Sequence, residues 1–279
     1  TKRVDAKRRS LFLGIGSAAG SSGQLALVPM GQVLITGYGW AVTAIIFGCL
    51  VAVIVPLSNA MRDPKREAVD PNAAPPQKLG EAVREAMGHR GFLLLTAGYF
   101  VCGYQVMFLG THLPKFLTEA GQTPWVGATA LSLIGLFNII GTLTWGALGG
   151  RFRMKYLLTS IYLLRSGVLA IYIMLPITAM STYIFSAAIG LLWLATVPLT
   201  SGLVARMFGL RYMATLTGLV FFSHQLGSFT GAWLGGKFFV TTGSYDMIWW
   251  IGVGLGLVAA ALHFPIDDKP VVRVQAAGA

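Results

Sequence analysis

The chain has 279 residues, of which 55% are hydrophobic and 11% charged, with a mean hydropathy of +0.68. Soluble globular domains carry about 25% charged residues, so the composition excludes an ordinary water-soluble fold and describes a membrane protein. The formal charge of +11 would suit a nucleic-acid partner if it lay in one arm or on one face, but it is scattered in short clusters between uncharged runs, and no nucleic acid is expected.

A spanning helix needs roughly 20 mostly apolar residues. Such runs occur at residues 11–36, 40–60, 92–113, 126–148, 156–175, 181–204, 214–238 and 247–265, which predicts eight spans. They carry glycine freely and lack the in/out alternation of barrel strands, which are about 10 residues long. The expected fold class is all-α, a polytopic membrane helix bundle with the lipid bilayer as its solvent. Between the second and third runs lies "RDPKREAVDPNAAPPQKLGEAVREAMGHRG". Its first part, charged and proline-bearing, reads as a loop. After Pro75 and Pro76, the residues Leu79, Ala82, Val83, Ala86 and Met87 recur at helical spacing, which predicts a short amphipathic helix at the membrane interface. A solvated linker is the alternative.

Eighteen of the 21 Lys and Arg fall at residues 2–9, 62–90, 151–155, 206–211 and 269–273. These segments alternate with nearly uncharged turns, leaving Lys115 and Lys237 on the opposite side and Arg165 inside a span. The asymmetry follows the positive-inside rule. It predicts a multi-pass protein of the cell inner (plasma) membrane with both ends of this chain cytoplasmic. Cys49 and Cys102 both fall within spans, so neither a disulfide framework nor a cysteine metal site is expected. The run from Leu11 has neither the length nor the cleavage site of a signal peptide.

The segment "GLVFFSHQLGSFTGAWLGG" at 218–236 repeats the pattern of "GIGSAAGSSGQLALVPMGQ" at 14–32. At an offset of 204 residues Gly14, Gly23, Gly31 and Gly39 meet Gly218, Gly227, Gly235 and Gly243, and each segment follows a basic turn. Lipid gives helices no hydrophobic reason to associate, so they approach one another at small residues. Gly227, Gly231 and Gly235 make one packing groove, and Gly16, Gly20 and Gly23 are its expected counterpart. Faces that only pack and faces that slide between two states carry the same pattern. The second twin is the fifth span after the basic loop, so equivalent halves make the first twin the fifth span of its own half. The chain is then expected to hold helices 5–12 of a twelve-helix protein. Four helices, on the order of 110 residues, would lie upstream, and a start at Thr1 rather than Met fits that expectation.

With these features the chain resembles the major facilitator superfamily, whose two six-helix halves are parallel repeats joined by a long cytoplasmic loop. "RRSLFLGIGSAAGSSGQ" is similar to the start of the family's fifth helix. "GALGGRFRMKYLL" at 146–158 resembles its loop motif of glycine, any residue, leucine, a small residue, aspartate and arginine. Gly150 stands at the aspartate position and Arg153 at the later glycine position, so the gating salt bridge attributed to that motif does not carry over. "YMATLTGLVFFSHQLGSFTGAWLGG" further resembles bacterial members near the monocarboxylate porter and oxalate/formate exchanger branch. The resemblance implies the major facilitator fold, with residues 1–61 as the last two helices of the N-terminal half and 62–90 as the cytoplasmic loop between halves. Residues 91–266 would be the C-terminal six-helix half and 267–279 a cytoplasmic tail.

No Gly-x-Ser-x-Gly, His-Glu-x-x-His or Gly-Lys-Ser/Thr pattern occurs, and all ten Asp and Glu lie outside the spans. No catalytic residue, cofactor or metal site is expected. What remains is a sparse set of polar groups at mid-depth, which in a membrane are functional candidates by default. Arg165 lies ten residues after Lys155, about 15 Å along a helix and half of a hydrocarbon core, with Tyr162, Ser166 and Tyr172 in its sector. Its guanidinium either donates to carbonyls and hydroxyls of neighbouring helices or offers a fixed cation to a carboxylate substrate. His224 and Gln225 lie at the midpoint of the glycine-faced helix, with Gln24 at similar depth in the twin. The imidazole is a packing residue, or a proton-responsive or substrate-contacting one.

Tyr99, Tyr104, Gln105 and Phe108 cluster at mid-depth after the loop, and Trp193 shares a face with Ser186, Gly190 and Thr200. The resemblance places the helices bearing these two groups around the central cavity, and that of Arg165 outside it. Candidate substrate contacts are therefore Arg165, Tyr99, Tyr104, Gln105, Trp193, His224, Gln225, Gln24 and Asn138, with core packing the alternative for the aromatics. The expected function is secondary active transport of a small organic anion, monocarboxylate-like, by alternating access around a midplane site. The partners are a small-molecule substrate and the bilayer, and the complete protein is expected to be monomeric. A membrane-embedded sensor or assembly partner with a transporter-like fold is the alternative, and an intramembrane enzyme is disfavoured for want of an acid, nucleophile and base.

Overall fold

A computed structural model describes residues 6–60 and 77–271; the charged first part of the inter-span loop lies outside the described residues. Among the described residues every regular element is a helix. In order they are α1 (Ala6–Ala52), α2 (Ile54–Ala60), α3 (Leu79–Gly88), α4 (Arg90–Glu119), α5 (Pro124–Leu148), α6 (Met154–Met174), α7 (Ala179–Leu192), α8 (Thr196–Phe208), α9 (Met213–Thr242) and α10 (Asp246–His263).

Among the described residues six helical stretches are long and apolar enough to cross a membrane. The expected eight spans map onto them with two adjustments. The stretch Leu11–Ser58 holds two spans, because α1 turns at Gly39, whose φ of 78° only glycine adopts without penalty. Gly31 consequently lies against the Phe47 ring, and the two arms fold back on each other. The second is α9, which is 30 residues long but diluted by Gly, Ser, Thr, His and Gln.

Large apolar side chains stand outward around the bundle, among them Ile171, Met174, Met180, Ile184, Phe222 and Phe229. Such a surface is an aggregation hazard in water and the natural covering in lipid, where helices satisfy their own backbone groups.

Inside, α4 packs chiefly on α9, α5 on α1 and α7, and α6 on α10. The α4–α9 seam is a backbone-to-backbone contact made possible by glycine. A Cβ added at Gly227 would overlap the Phe100 carbonyl, one at Gly231 the Tyr104 carbonyl, and one at Gly235 the His112 ring. On α4 itself, Gly103 stands equally close to the His224 carbonyl. The expected counterpart on α1 is different. A Cβ added at Gly16 or Gly20 would meet no atom of another helix within 4 Å, and one at Gly23 would meet only Leu27 of its own helix. The stripe turned toward α5 is instead Gly14, Ala18 and Ser21, one helical face at i, i+4 and i+7 spacing, with Gly14 over the Thr142 carbonyl. The other three glycines lie on a different side of the helix.

The run at 181–204 is not one helix. It breaks between Leu192 and Thr196, because Pro198 has no N–H for the Leu194 carbonyl and its ring crowds that same carbonyl.

The short helix expected after Pro75 and Pro76 is α3, whose start is closed by the Lys78 N–H donating to Glu81 Oε2 at 3.0 Å. It buries Ala82 and Ala86, leaving Leu79 and Met87 exposed. At this same end of the bundle Lys155 donates to the Ile266 carbonyl at 2.7 Å, Val271 N–H donates to Met207 O at 2.9 Å, and Asp268 pairs with Arg153 and Arg206. The basic turns therefore share one end. Gln122, which donates to Ile177 O at 3.1 Å, lies at the other, where Glu119 and Asp246 line a common groove.

Candidate functional site

The site is organised around the broken helix. Ending α7 at Leu192 frees carbonyls, and starting α8 at Thr196 frees N–H groups; in hydrocarbon each needs a partner. Arg165, from the middle of α6, supplies the first kind. Its Nε and Nη2 donate to Leu192 O at 3.1 and 2.6 Å, Nη2 donates also to Trp193 O, and Nη1 reaches Gln105 Oε1 at 3.4 Å and Cys102 Sγ at 3.5 Å. Asn138 of α5 supplies the second kind. Its Oδ1 accepts from the Leu194 N–H at 2.8 Å, and its Nδ2 donates to Ser21 Oγ on α1 at 2.6 Å. One arginine and one asparagine thus hold the two sides of the break, and Asn138 ties it to the N-terminal hairpin.

The polar sector expected around Arg165 faces protein. Tyr162 lies under the guanidinium with 5.6 Å from cation to ring centroid, Ser166 donates to Val253 O at 3.1 Å, and Tyr172 shares a hydrogen bond with Thr182. Arg165 itself is 1% exposed. The geometry thus contains the carbonyl-bracing arrangement directly, with all three guanidinium nitrogens engaged.

The other sequence candidates divide into an inner and an outer group. Tyr99, Tyr104, Gln105, Asn138 and Trp193 are buried. Tyr104 donates to Ile248 O at 3.3 Å and Gln105 to Gly252 O at 2.9 Å, which fixes α4 on α10. Trp193 sits at the break itself. Gln225 is exposed and Gln24 half-buried; Gln24 donates to Leu131 O at 3.1 Å, a second bond across the α1–α5 seam. His224 connects the two groups. Its ring is 5.0 Å from Tyr99 and 5.1 Å from Phe221, and its Nδ1 faces Gln225 Oε1 at 3.3 Å and Ser228 Oγ at 3.4 Å.

Sequence reasoning missed two participants. Cys102, read as a small packing residue, lies at the centre of the inner group, sharing a 3.2 Å contact with Thr196 Oγ1 at the start of α8. Its spacing from Tyr99 and Gln105 on one helical face was the available signal. Asp268, in the tail after α10, was not singled out. Its carboxylate pairs with Arg153 and, at 3.9 Å, with Arg206. Burial pushes the Asp268 carboxyl up, but the hydrogen bond and charge of Arg153, aided by Arg206, outweigh it and hold the group below the ordinary carboxylate range.

A polytopic helix bundle, with one helical run broken midway and braced there by buried polar side chains, defines a multi-pass membrane protein. The model of the Major Facilitator Superfamily matches residues 1–232, and the chain belongs to that superfamily. It is similar to the uncharacterized MFS-type transporter YcxA of Bacillus subtilis (strain 168), with 27% identity over 285 residues covering 96% of this chain and 66% of that protein. It is also similar to monocarboxylate transporter 12-B of Danio rerio, at 24% identity over 92% of this chain and 60% of the relative. Monocarboxylate transporter 13 of Bos taurus matches at 24% identity over 98% of this chain and 65% of its own length. The chain therefore spans less than two thirds of the length of these relatives.

Proposed function

We propose that the whole protein is a secondary active transporter that carries a small organic anion, monocarboxylate-like, across the cell inner membrane by alternating access. The observation that carries this reading is Arg165: a permanent cation at mid-depth, buried, in spans that contain no Asp or Glu. Such a core favours an anion and disfavours a cation. The names of the two vertebrate relatives support the same substrate class.

In this reading residues 1–61 belong to the N-terminal half and 91–266 to the C-terminal half, and the working protein is a monomer. The seam between α1 and α5, with Gly14 over Thr142, Gly135 against Leu25, and the bonds from Gln24 and Asn138, is then where one half moves against the other. Gln24, His224 and Gln225 contact the substrate, while Arg165 acts from behind them through its field and through the shape of the α7–α8 break.

The test is uptake of radiolabelled monocarboxylates by cells expressing the full-length protein. Gln225→Leu should raise KM several-fold with wild-type amounts in the membrane. Unchanged KM in both Gln225→Leu and Gln24→Leu would remove these two residues from the site.

A further inference from the structure

Aromatic and basic side chains gather on the surface where α6 begins and α10 ends. Phe152, in the turn before α6, and Phe264, just after α10, are 59% and 60% exposed, and Tyr156 of α6 is 42% exposed. Exposed rings at the end of a spanning helix belong at the depth of the lipid headgroups, a layer that offers an apolar and a polar side at once. Arg151 and Arg153 are exposed beside them.

Tyr156 joins the two helices and the charges. Its ring meets Phe264 across the α6–α10 seam with centroids 5.7 Å apart, and Arg153 and Lys155 stand over it at 5.4 and 5.1 Å. The nearby carboxylates are already engaged. Asp268 is buried and shared by Arg153 and Arg206, and Asp267, though exposed, accepts the Lys269 N–H at 3.3 Å. The Arg153 side chain is still 47% exposed despite its pair. Among the described residues Arg151 has no carboxylate within ion-pair reach. Cations therefore dominate the charge beside the rings.

An apolar track leads away from this patch toward mid-membrane. On α10 the exposed residues Leu257, Ala261 and Phe264 follow one another at i, i+4 and i+7 spacing, one face of the helix. On α6, Leu163 and Leu164 are exposed two turns beyond Tyr156. Cations at headgroup level and apolar side chains at chain level have the polarity of a phospholipid, in the same order.

We propose that this surface binds one anionic glycerophospholipid, its phosphate held by Arg151 and the exposed part of Arg153 and its chains lying along the α6–α10 track. The planar donor fork of a guanidinium matches two phosphate oxygens, and basic sites between membrane helices recognise anionic headgroups. Arg211 is an internal comparison. It is exposed at the same end and stands over the Tyr212 ring at 5.4 Å. Tyr212, however, is half-buried, with its hydroxyl donating to Gln77 O at 2.7 Å, so Arg211 offers charge without the exposed rings.

The experiment is native mass spectrometry of the full-length protein in micelles, titrated separately with phosphatidylglycerol, phosphatidylcholine and phosphatidylethanolamine of the same chains. The first phosphatidylglycerol should bind at least about fivefold more tightly than either zwitterionic lipid, the worth of one basic residue beside an anionic headgroup. Arg151→Gln should remove most of that preference, and Phe152→Ser should weaken the first binding event with all charges kept. Arg211→Gln, with the same loss of charge, should change neither. Equal affinity for the three lipids overturns the proposal, as does a preference for phosphatidylethanolamine. Equal losses in Arg151→Gln and Arg211→Gln overturn it too, since a diffuse field and not a site would then hold the lipid. Displacement of the lipid by free glycerol phosphate overturns the assignment to a membrane lipid. Phe152→Ser against Arg211→Gln decides the matter if Arg151→Gln does not fold, and equal affinities in that pair overturn the site.

Discussion

The α4–α9 seam yields the sharpest mutational expectation. In Gly227→Ala the new Cβ would sit 2.8 Å from the Phe100 carbonyl carbon and overlap its oxygen. Bringing that carbon to an ordinary 3.4 Å requires the helices to part by at least about 0.6 Å, and the oxygen demands more. The obstacle is backbone on a rigid helix, which cannot rotate away as a side chain would. Gly231 and Gly103 belong to the same seam, so parting at Gly227 loosens two further contacts. Overpacking of this kind costs about 1–3 kcal/mol, and lost close helix contact adds to it. Gly254 is the control, because nothing lies within 4 Å of a Cβ there and alanine is the better helix former by about 1 kcal/mol. The assay is heating of detergent-purified full-length protein followed by size-exclusion of the survivors. Gly227→Ala should lose its monodisperse peak several degrees below wild type, and Gly254→Ala should match or exceed wild type. Equal behaviour of the two variants would refute the reasoning.

Asn138→Leu leaves the Leu194 N–H without its partner and cuts the tie to Ser21. A loss of about 1–3 kcal/mol should appear in the same heating assay, with Asn138→Asp retaining part of the stability. Arg165→Gln uncovers the Leu192 and Trp193 carbonyls and is expected to reduce the folded protein recovered from membranes, whereas Arg165→Lys should recover more of it; equal amounts of all three proteins would show that the break needs no cation. Asp268 has a depressed folded-state value, so its contribution to stability is full above the unfolded carboxylate range, near 3.9, and is lost as pH falls through the lower folded value. Wild type and Asp268→Asn should therefore differ in thermal survival at pH 7 and converge only in stronger acid, and a gap independent of pH would contradict the ion-pair account. Single cysteines at Lys78 and Lys269 should be shielded from impermeant reagent in intact cells while those at Gln122 and Asp246 react, and the reverse order would invert the topology.

The spans were legible because lipid imposes one simple requirement, length and apolarity, and the place of Arg165 in the middle of α6 followed from its spacing to Lys155. The break in the 181–204 run was written in Pro198 but masked by the uninterrupted apolar composition around it. The glycine faces show the limit of pattern. Gly227, Gly231 and Gly235 pack where their spacing suggests, yet an equally regular trio on α1 points away from α5, because spacing defines a face and not the neighbour that will meet it. The inner polar cluster was only half visible. Tyr99 and Gln105 drew notice as polar groups, whereas Cys102 counts as apolar until α6 places a guanidinium beside it and α8 a hydroxyl. Beyond its helical spacing from Tyr99 and Gln105, nothing local to residue 102 carries that information.

Flux through the purified full-length protein tests the central claim most directly. Reconstituted into liposomes preloaded with unlabelled monocarboxylate, it should accumulate external labelled monocarboxylate by counterflow, saturably and above protein-free vesicles. Tight binding of the same anion without counterflow, in folded and correctly inserted protein, would contradict the transporter reading and leave a sensor built on the same fold.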